Sequence, residues 1–210
     1  METNTIHSNV KIALSETIQE FQVNPFNFFY EEDIRATLFF KLKQIIGDEG
    51  NYDIDDQFVD LKKIYPEGIK SNLVKSEYPY DAGFGRKRFD VAVLHPAHID
   101  FYKCPVQIGI EIKMGSKETK MEPVSGYFEN IVSLREYRCH LLKQKKSFTG
   151  IAIYFYQTTL AQPDMYFSSN PIEYLDIKDI EFKPNEIYAL VVSKGEVFKV
   201  TKYKIEIPLG

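Results

Sequence analysis

The chain has almost no cysteine: Cys104 and Cys139 are its only two, and neither has a second Cys nearby in sequence. Isolated thiols of this kind are typical of reduced compartments and say nothing about metal, and structural burial is the expected fate of both. Long hydrophobic runs are missing as well. None approaches the ~18 residues that a membrane span requires, and the segment from Met1 to Asn9 is polar, without the apolar core of a signal peptide. The expected location is the cytoplasm, with no membrane partner. Low-complexity tracts, long linkers and internal repeats are absent, which excludes a disordered or solenoid chain. No Gly-rich phosphate loop is present.

Basic excess is the last thing missing. Lys and Arg total 26 against 30 Asp and Glu, a formal charge of −4, opposite in sign to a general nucleic-acid coat. Any nucleic-acid site must therefore be local. Arg86, Lys87 and Arg88 offer one basic cluster, and the helix-like stretch with Arg135, Arg138, Lys143, Lys145 and Lys146 offers another. Most clusters of this kind are solvated faces.

What is present suits one folded unit. The 210 residues are 44% hydrophobic and 27% charged, and a chain this long buries roughly 70% of its unfolded surface. A single domain over residues 1–210 is expected. Val10, Ala13, Leu14, Thr17, Ile18 and Phe21 recur at helical spacing, which predicts an amphipathic helix over about 5–22, closed before Pro25. A second helix is predicted over about 30–46, with Ile34, Leu38, Leu42, Ile45 and Ile46 inward and Gly47 as its stop. Residues 47–72 read as irregular, with room for a short helix.

The period then changes to two. Strands are predicted at 73–80, 88–94 and 106–113, an antiparallel meander, followed by a helix over about 123–145 and a strand at 150–157. A hairpin is predicted at 187–193 and 195–203, then a short strand at 204–208. The order helix, three strands, helix, strand belongs to α/β proteins with a mixed central β-sheet flanked by helices, and not to a doubly wound nucleotide-binding fold.

The chemistry concentrates in two of these strands. In Val106–Lys113 the alternation is complete, so Gln107, Gly109, Glu111 and Lys113 share one face. In Arg88–Leu94, Asp90 shares a face with Arg88, Ala92 and Leu94 in a strand apolar enough to be largely buried, and a carboxylate there needs a reason. The plain alternative makes Glu111 and Lys113 ordinary solvent-facing residues and pairs Asp90 with Arg86 or Arg88. A third acid joins them: on a helical wheel Glu31 falls in the middle of the apolar arc of the second helix, Glu32 at its rim, and Asp33 on the opposite side. The wheel selects Glu31 over Glu32, although acids favour any helix start through its dipole.

A helix with an acid (Tyr30-Glu31-Glu32-Asp33-Ile34), an Asp strand (Arg88-Phe89-Asp90-Val91-Ala92-Val93-Leu94) and a Glu-x-Lys strand (Ile110-Glu111-Ile112-Lys113) together resemble the PD-(D/E)XK nuclease superfamily. The match covers about residues 26–157, and the literal Pro before the Asp is replaced by Phe89. The resemblance implies a restriction-endonuclease-like αβββαβ core, with the N-terminal helix before it and a β-rich C-terminal hairpin extension at 158–210. It also implies a metal-dependent nuclease hydrolysing phosphodiester bonds in DNA or RNA, with Glu31, Asp90, Glu111 and Lys113 catalytic. Two carboxylates about 4 Å apart repel by roughly 4 kcal/mol at an effective dielectric of about 20, which a divalent cation relieves. The implied ligands of Mg²⁺ or Mn²⁺ are Asp90, Glu111 and the Ile112 carbonyl. Lys113 would orient the attacking water or stabilise the pentavalent charge. A basic residue on the following helix, Arg135 or Arg138, is left open.

Competing readings remain. His95 and His98, with Asp100 behind them, form a weak loop metal motif, and His7 and His140 carry no signal. The same fold with its acids kept for structure would make a non-catalytic module binding nucleic acid or protein. A third reading is a self-associating homodimer whose interface uses Tyr154-Phe155-Tyr156 and Tyr166-Phe167, aromatics that core packing explains equally well.

Overall fold

The helical spacing of Val10, Ala13, Leu14, Thr17, Ile18 and Phe21 becomes α1 (Thr3–Val23) in the computed structural model, which describes residues 3–47, 50–52, 54, 56, 59–80, 86–95, 105–115, 122–157 and 172–200. All six of those side chains are buried. Thr17 meets its polar demand inside the helix, its hydroxyl donating to the Ala13 carbonyl at 2.8 Å. Helix α2 (Glu31–Ile46) packs on α1 and buries Ile34, Leu38, Leu42 and Ile46, with Ile45 half-buried. It ends at Gly47, whose φ of +78° lies where side chains are disfavoured and whose amide donates to the Lys43 carbonyl.

Between α2 and the main sheet the irregular stretch contains α3 (Val59–Ile64) and a small antiparallel pair, β1 (Gly50–Tyr52) with β2 (Ile69–Ser71). The pair was not anticipated, being too short to carry an alternation. The three predicted strands then appear as β3 (Val74–Pro79), β4 (Arg88–Leu94) and β5 (Val106–Gly115), each antiparallel to the next. Helix α4 (Glu122–Lys143) crosses over to β6 (Thr149–Tyr156), which pairs parallel with β5.

The tail completes the sheet. β8 (Ile187–Ser193) lies parallel beside β6, β9 (Glu196–Val200) returns antiparallel to β8, and β7 (Ile172–Tyr174) pairs with β9, giving one seven-stranded mixed sheet ordered β3-β4-β5-β6-β8-β9-β7. Residues 172–200 thus supply three of the seven strands of the sheet. The strand predicted at 204–208 lies outside the described residues.

Successive residues of β6 show the layering. The Phe155 ring meets Phe21 of α1 at 5.0 Å between centroids, and the Tyr154 ring meets Tyr127 of α4 at 5.7 Å. Helices α1 and α2 therefore cover one face and α4 the other, and β6, buried along its whole length, is apolar on both sides. Tyr154, Phe155 and Tyr156 are all buried, so they are core residues and not the surface interface that a self-association reading requires; Tyr166 and Phe167 lie outside the described residues. Cys139, expected to be buried, is exposed because it falls on the outward side of α4; Cys104 lies outside the described residues. Among the described residues no helix is long and apolar enough to cross a membrane.

Candidate functional site

The site forms where two strands part. The ladder between β4 and β5 runs from Leu94 opposite Val106 to Val91 opposite Ile110, and Asp90 and Glu111 stand one step beyond its end. The other side of β4 is disturbed at the same point. Glu77, bracketed by the pairs Ser76–Val91 and Tyr78–Phe89, takes a left-handed φ of +53°, rare for a residue with a side chain. In the gap, the Asp90 carboxylate takes the place of a main-chain partner: its Oδ2 accepts from the Ile112 amide at 2.7 Å.

Four sequence-predicted residues converge there. Glu31, in the first turn of α2, accepts from the Lys113 ammonium at 2.7 Å. The Lys113 stem runs beside Gly126 of α4, so this one side chain leaves the α4 side of β5 and reaches the start of α2. Glu111 is only 7% exposed and accepts from the Tyr80 hydroxyl at 2.7 Å. The local chemistry also separates Glu31 from its neighbours. Asp33 turns back to accept from the Phe29 and Tyr30 amides at 2.8 and 3.0 Å, capping the helix, and Glu32 is exposed.

Burial and mutual repulsion give these acids unusual proton affinity. Burial first, then the Asp90 charge, push the Glu111 carboxyl up to about 8, despite the Tyr80 hydrogen bond and Lys113. Burial raises Asp90 more than the Ile112 amide, Lys113 and Arg35 lower it, and it raises Glu31 in spite of the Lys113 contact. Burial alone would lower Lys113, but Glu31, Asp90 and Glu111 outweigh it and hold the ammonium above its ordinary range. Three carboxyls that all resist losing their protons around Lys113, with Arg35 3.7 Å from Asp90, form a site short of positive charge.

Several participants carried no sequence signal. Tyr80 lies just past β3; its ring stacks on Phe89 at 3.9 Å and packs against Tyr137 at 5.0 Å, and burial with the Glu111 charge drives its phenol far upward, so it stays a donor. Arg35, one turn into α2, is 3.7 Å from Asp90 and also contacts Glu77. It replaces Arg86 or Arg88 as the expected partner of Asp90; both of those are exposed. A helical wheel marks Arg35 only as polar, and nothing in a lone Tyr at 80 announces its partner.

Beside Glu111 a cleft of about 450 Å³ opens between the end of the β3–β4 ladder and α4, lined by Tyr80, Lys87, Arg88, Glu111, Asn130 and Ser133 among others. Lys87 crosses it to donate to Ser133 at 2.8 Å. Neither Arg135 nor Arg138 is among its lining residues. Arg138 instead donates to the Asn185 carbonyl ahead of β8, and Arg135 is exposed.

The histidines divide. His95 is half-buried, which lowers its pKa, while His98 and Asp100 lie outside the described residues. His7, silent in sequence, is buried against Thr149 with Nε2 2.9 Å from its hydroxyl. Among the described residues no three His, Cys, Asp or Glu side chains are grouped as a ready-made metal cluster. No family model, curated protein or solved structure matches the chain, so the geometry and its chemistry carry the functional reading.

Proposed function

We propose that this chain is a metal-dependent nuclease of the PD-(D/E)XK kind, hydrolysing phosphodiester bonds in DNA or RNA. The observation that carries the reading is the convergence of Glu31, Asp90, Glu111 and Lys113, from a helix and two strands, on the point where β4 and β5 separate. The order α2, three antiparallel strands, α4 and a parallel strand agrees with the αβββαβ core of that superfamily.

The donor set suits Mg²⁺ or Mn²⁺: Asp90 and Glu111 offer hard oxygens, the Ile112 carbonyl follows between them and Lys113, and the raised proton affinity of the acids marks charge that a cation would neutralise. Two side chains plus a main-chain oxygen are compatible with there being no cluster of three among the described residues. When bound, the cation would polarise the scissile phosphate and lower the pKa of an attacking water. Tyr80 fixes one oxygen of Glu111. Glu31 holds the Lys113 ammonium, a group suited to orienting the water or meeting charge on the phosphorane.

A binding module on the same fold is the second reading, favoured by the way each acid already has a protein partner: Lys113 on Glu31, Ile112 and Arg35 near Asp90, Tyr80 on Glu111. Incubation of single- and double-stranded DNA and RNA with Mg²⁺, Mn²⁺ or EDTA tests both. Metal-dependent cleavage by the wild type, lost at least about 100-fold in folded Glu111→Ala and Lys113→Ala, is the expected outcome. Cleavage that survives in both variants refutes the site, and retention of nucleic acid without cleavage favours the module.

A further inference from the structure

Ten consecutive residues ahead of the site, Phe21 to Tyr30, carry no charge, and four of the last five are Phe or Tyr apart from Asn27. The fold sorts these aromatics sharply. Phe28 is buried, its ring 5.7 Å from Phe21, whereas Phe26, Phe29 and Tyr30 are 64%, 73% and 70% exposed. Exposing three large rings within five residues forfeits burial that the same rings would gain in a core.

The backbone beneath them is held at several points. A short 3-10 turn spans Pro25–Asn27, and the Phe28 amide donates to the Pro25 carbonyl. Gln157, just past β6, donates to the Phe28 carbonyl at 2.8 Å. Asp33 accepts from both the Phe29 and Tyr30 amides. With Phe28 anchored inward, the outward direction of its neighbours is imposed by the fold. Tyr30 is followed directly by Glu31, whose carboxylate meets Lys113, so the aromatic run ends one residue before the candidate site.

We propose that Phe26, Phe29 and Tyr30 form a stacking platform for unpaired bases, making the substrate a single-stranded nucleic acid or a single-stranded flank. The inference rests on the nuclease reading for what lies in the adjoining site. Base faces are uncharged and planar, and rings stack on every base irrespective of sequence. A platform without a single charge suits bases, while duplex DNA, recognised through its phosphates, demands cations that this ridge lacks. The nearby cations are Arg35 and Lys113, paired with acids of the site, and Lys87 and Arg88, which line the adjoining cleft together with Glu129 and Glu136.

Fluorescence anisotropy with a labelled oligothymidylate, and with the same strand annealed to its complement, tests this in EDTA, where metal-dependent cleavage is suppressed. Phe29→Ala and Tyr30→Ala are each expected to weaken single-strand binding about 10-fold and to leave duplex binding unchanged. Phe29→Trp is expected to retain it and Phe29→Leu to lose it, which separates ring stacking from apolar area. Both positions are exposed, so circular dichroism of all four variants is expected to match wild type. Wild-type affinity in both Ala variants, or equal losses for strand and duplex, overturns the platform; if Glu111→Ala still abolishes cleavage, the nuclease reading survives that failure. Ring-dependent binding without cleavage by any metal keeps the platform and removes the nuclease. A halved sedimentation mass in Phe29→Ala, with no strand binding by wild type, overturns the platform in favour of a second copy of this chain.

Discussion

Glu111 combines three conditions that a carboxylate ordinarily avoids: it is buried, it lies near a second acid, and its hydrogen bond comes from a neutral phenol. The result is a carboxyl raised from its ordinary 4.5 to about 8. A folded pKa above the unfolded one means that its contribution to stability is fully present below about 4.5 and is lost as pH rises through about 8. Asp90 and Glu31 are shifted in the same direction. The metal-free protein is therefore expected to be less stable at about pH 9 than at about pH 5, by an amount on the order of a few kcal/mol. Glu111→Gln, which keeps the shape and removes the charge, is expected to recover much of that loss at the higher pH and to change little at the lower. Thermal melts in EDTA check this, and Mg²⁺ is expected to raise the wild-type melting temperature more at pH 9, where protons compete less for the acids. A melting temperature independent of pH would contradict the buried cluster.

Among the elements, β5 and β6 meet α4 across an aromatic layer that only small residues permit. A Cβ at Gly109 would lie 2.4 Å from the Phe89 ring, and one at Gly150 would lie 3.1 Å from Leu134 and 2.6 Å from Ile187. Phe89 in turn packs on Tyr137 at 5.3 Å and on Phe148 at 5.9 Å, so it cannot easily withdraw. Gly109→Ala is expected to cost about 1–3 kcal/mol in urea unfolding, the usual range for overpacking a filled core. Adding Phe89→Leu should return part of that loss, giving a coupling energy in a double-mutant cycle. Alternation alone shows Gly109 sharing a face with Glu111, but the ring that requires glycine there arrives from β4, and neither strand's own pattern records it.

For the whole molecule, the consequential feature is where the tail inserts. β8 lies against β6 along six paired residues, Gly150–Ile187 through Phe155–Val192, and β9 and β7 then form the far edge. From sequence, the hairpin is expected in an extension outside the core; in the fold its strands are part of the main sheet. A chain ending at residue 157 would leave β6, whose eight residues are all buried, as an open apolar edge. Such a truncation is expected to abolish cooperative unfolding and to aggregate. A soluble truncated chain with a sigmoidal melt would make residues 172–200 a dispensable addition.

Local periodicity determined what lies along each element. The 3.6-residue spacing of Ile34, Leu38 and Leu42 places α2 and aims Glu31 inward, and the two-residue spacing of β5 puts Glu111 and Lys113 on one side. These follow from backbone geometry within a single element, so they are legible without knowing the neighbours. The tertiary structure decided which elements meet. Tyr80 on Glu111, Arg35 near Asp90, Phe89 over Gly109, β8 beside β6 and the outward face of Cys139 all depend on strand order and helix placement. Those are set by the best packing of the entire chain, and no stretch of a dozen residues carries that information.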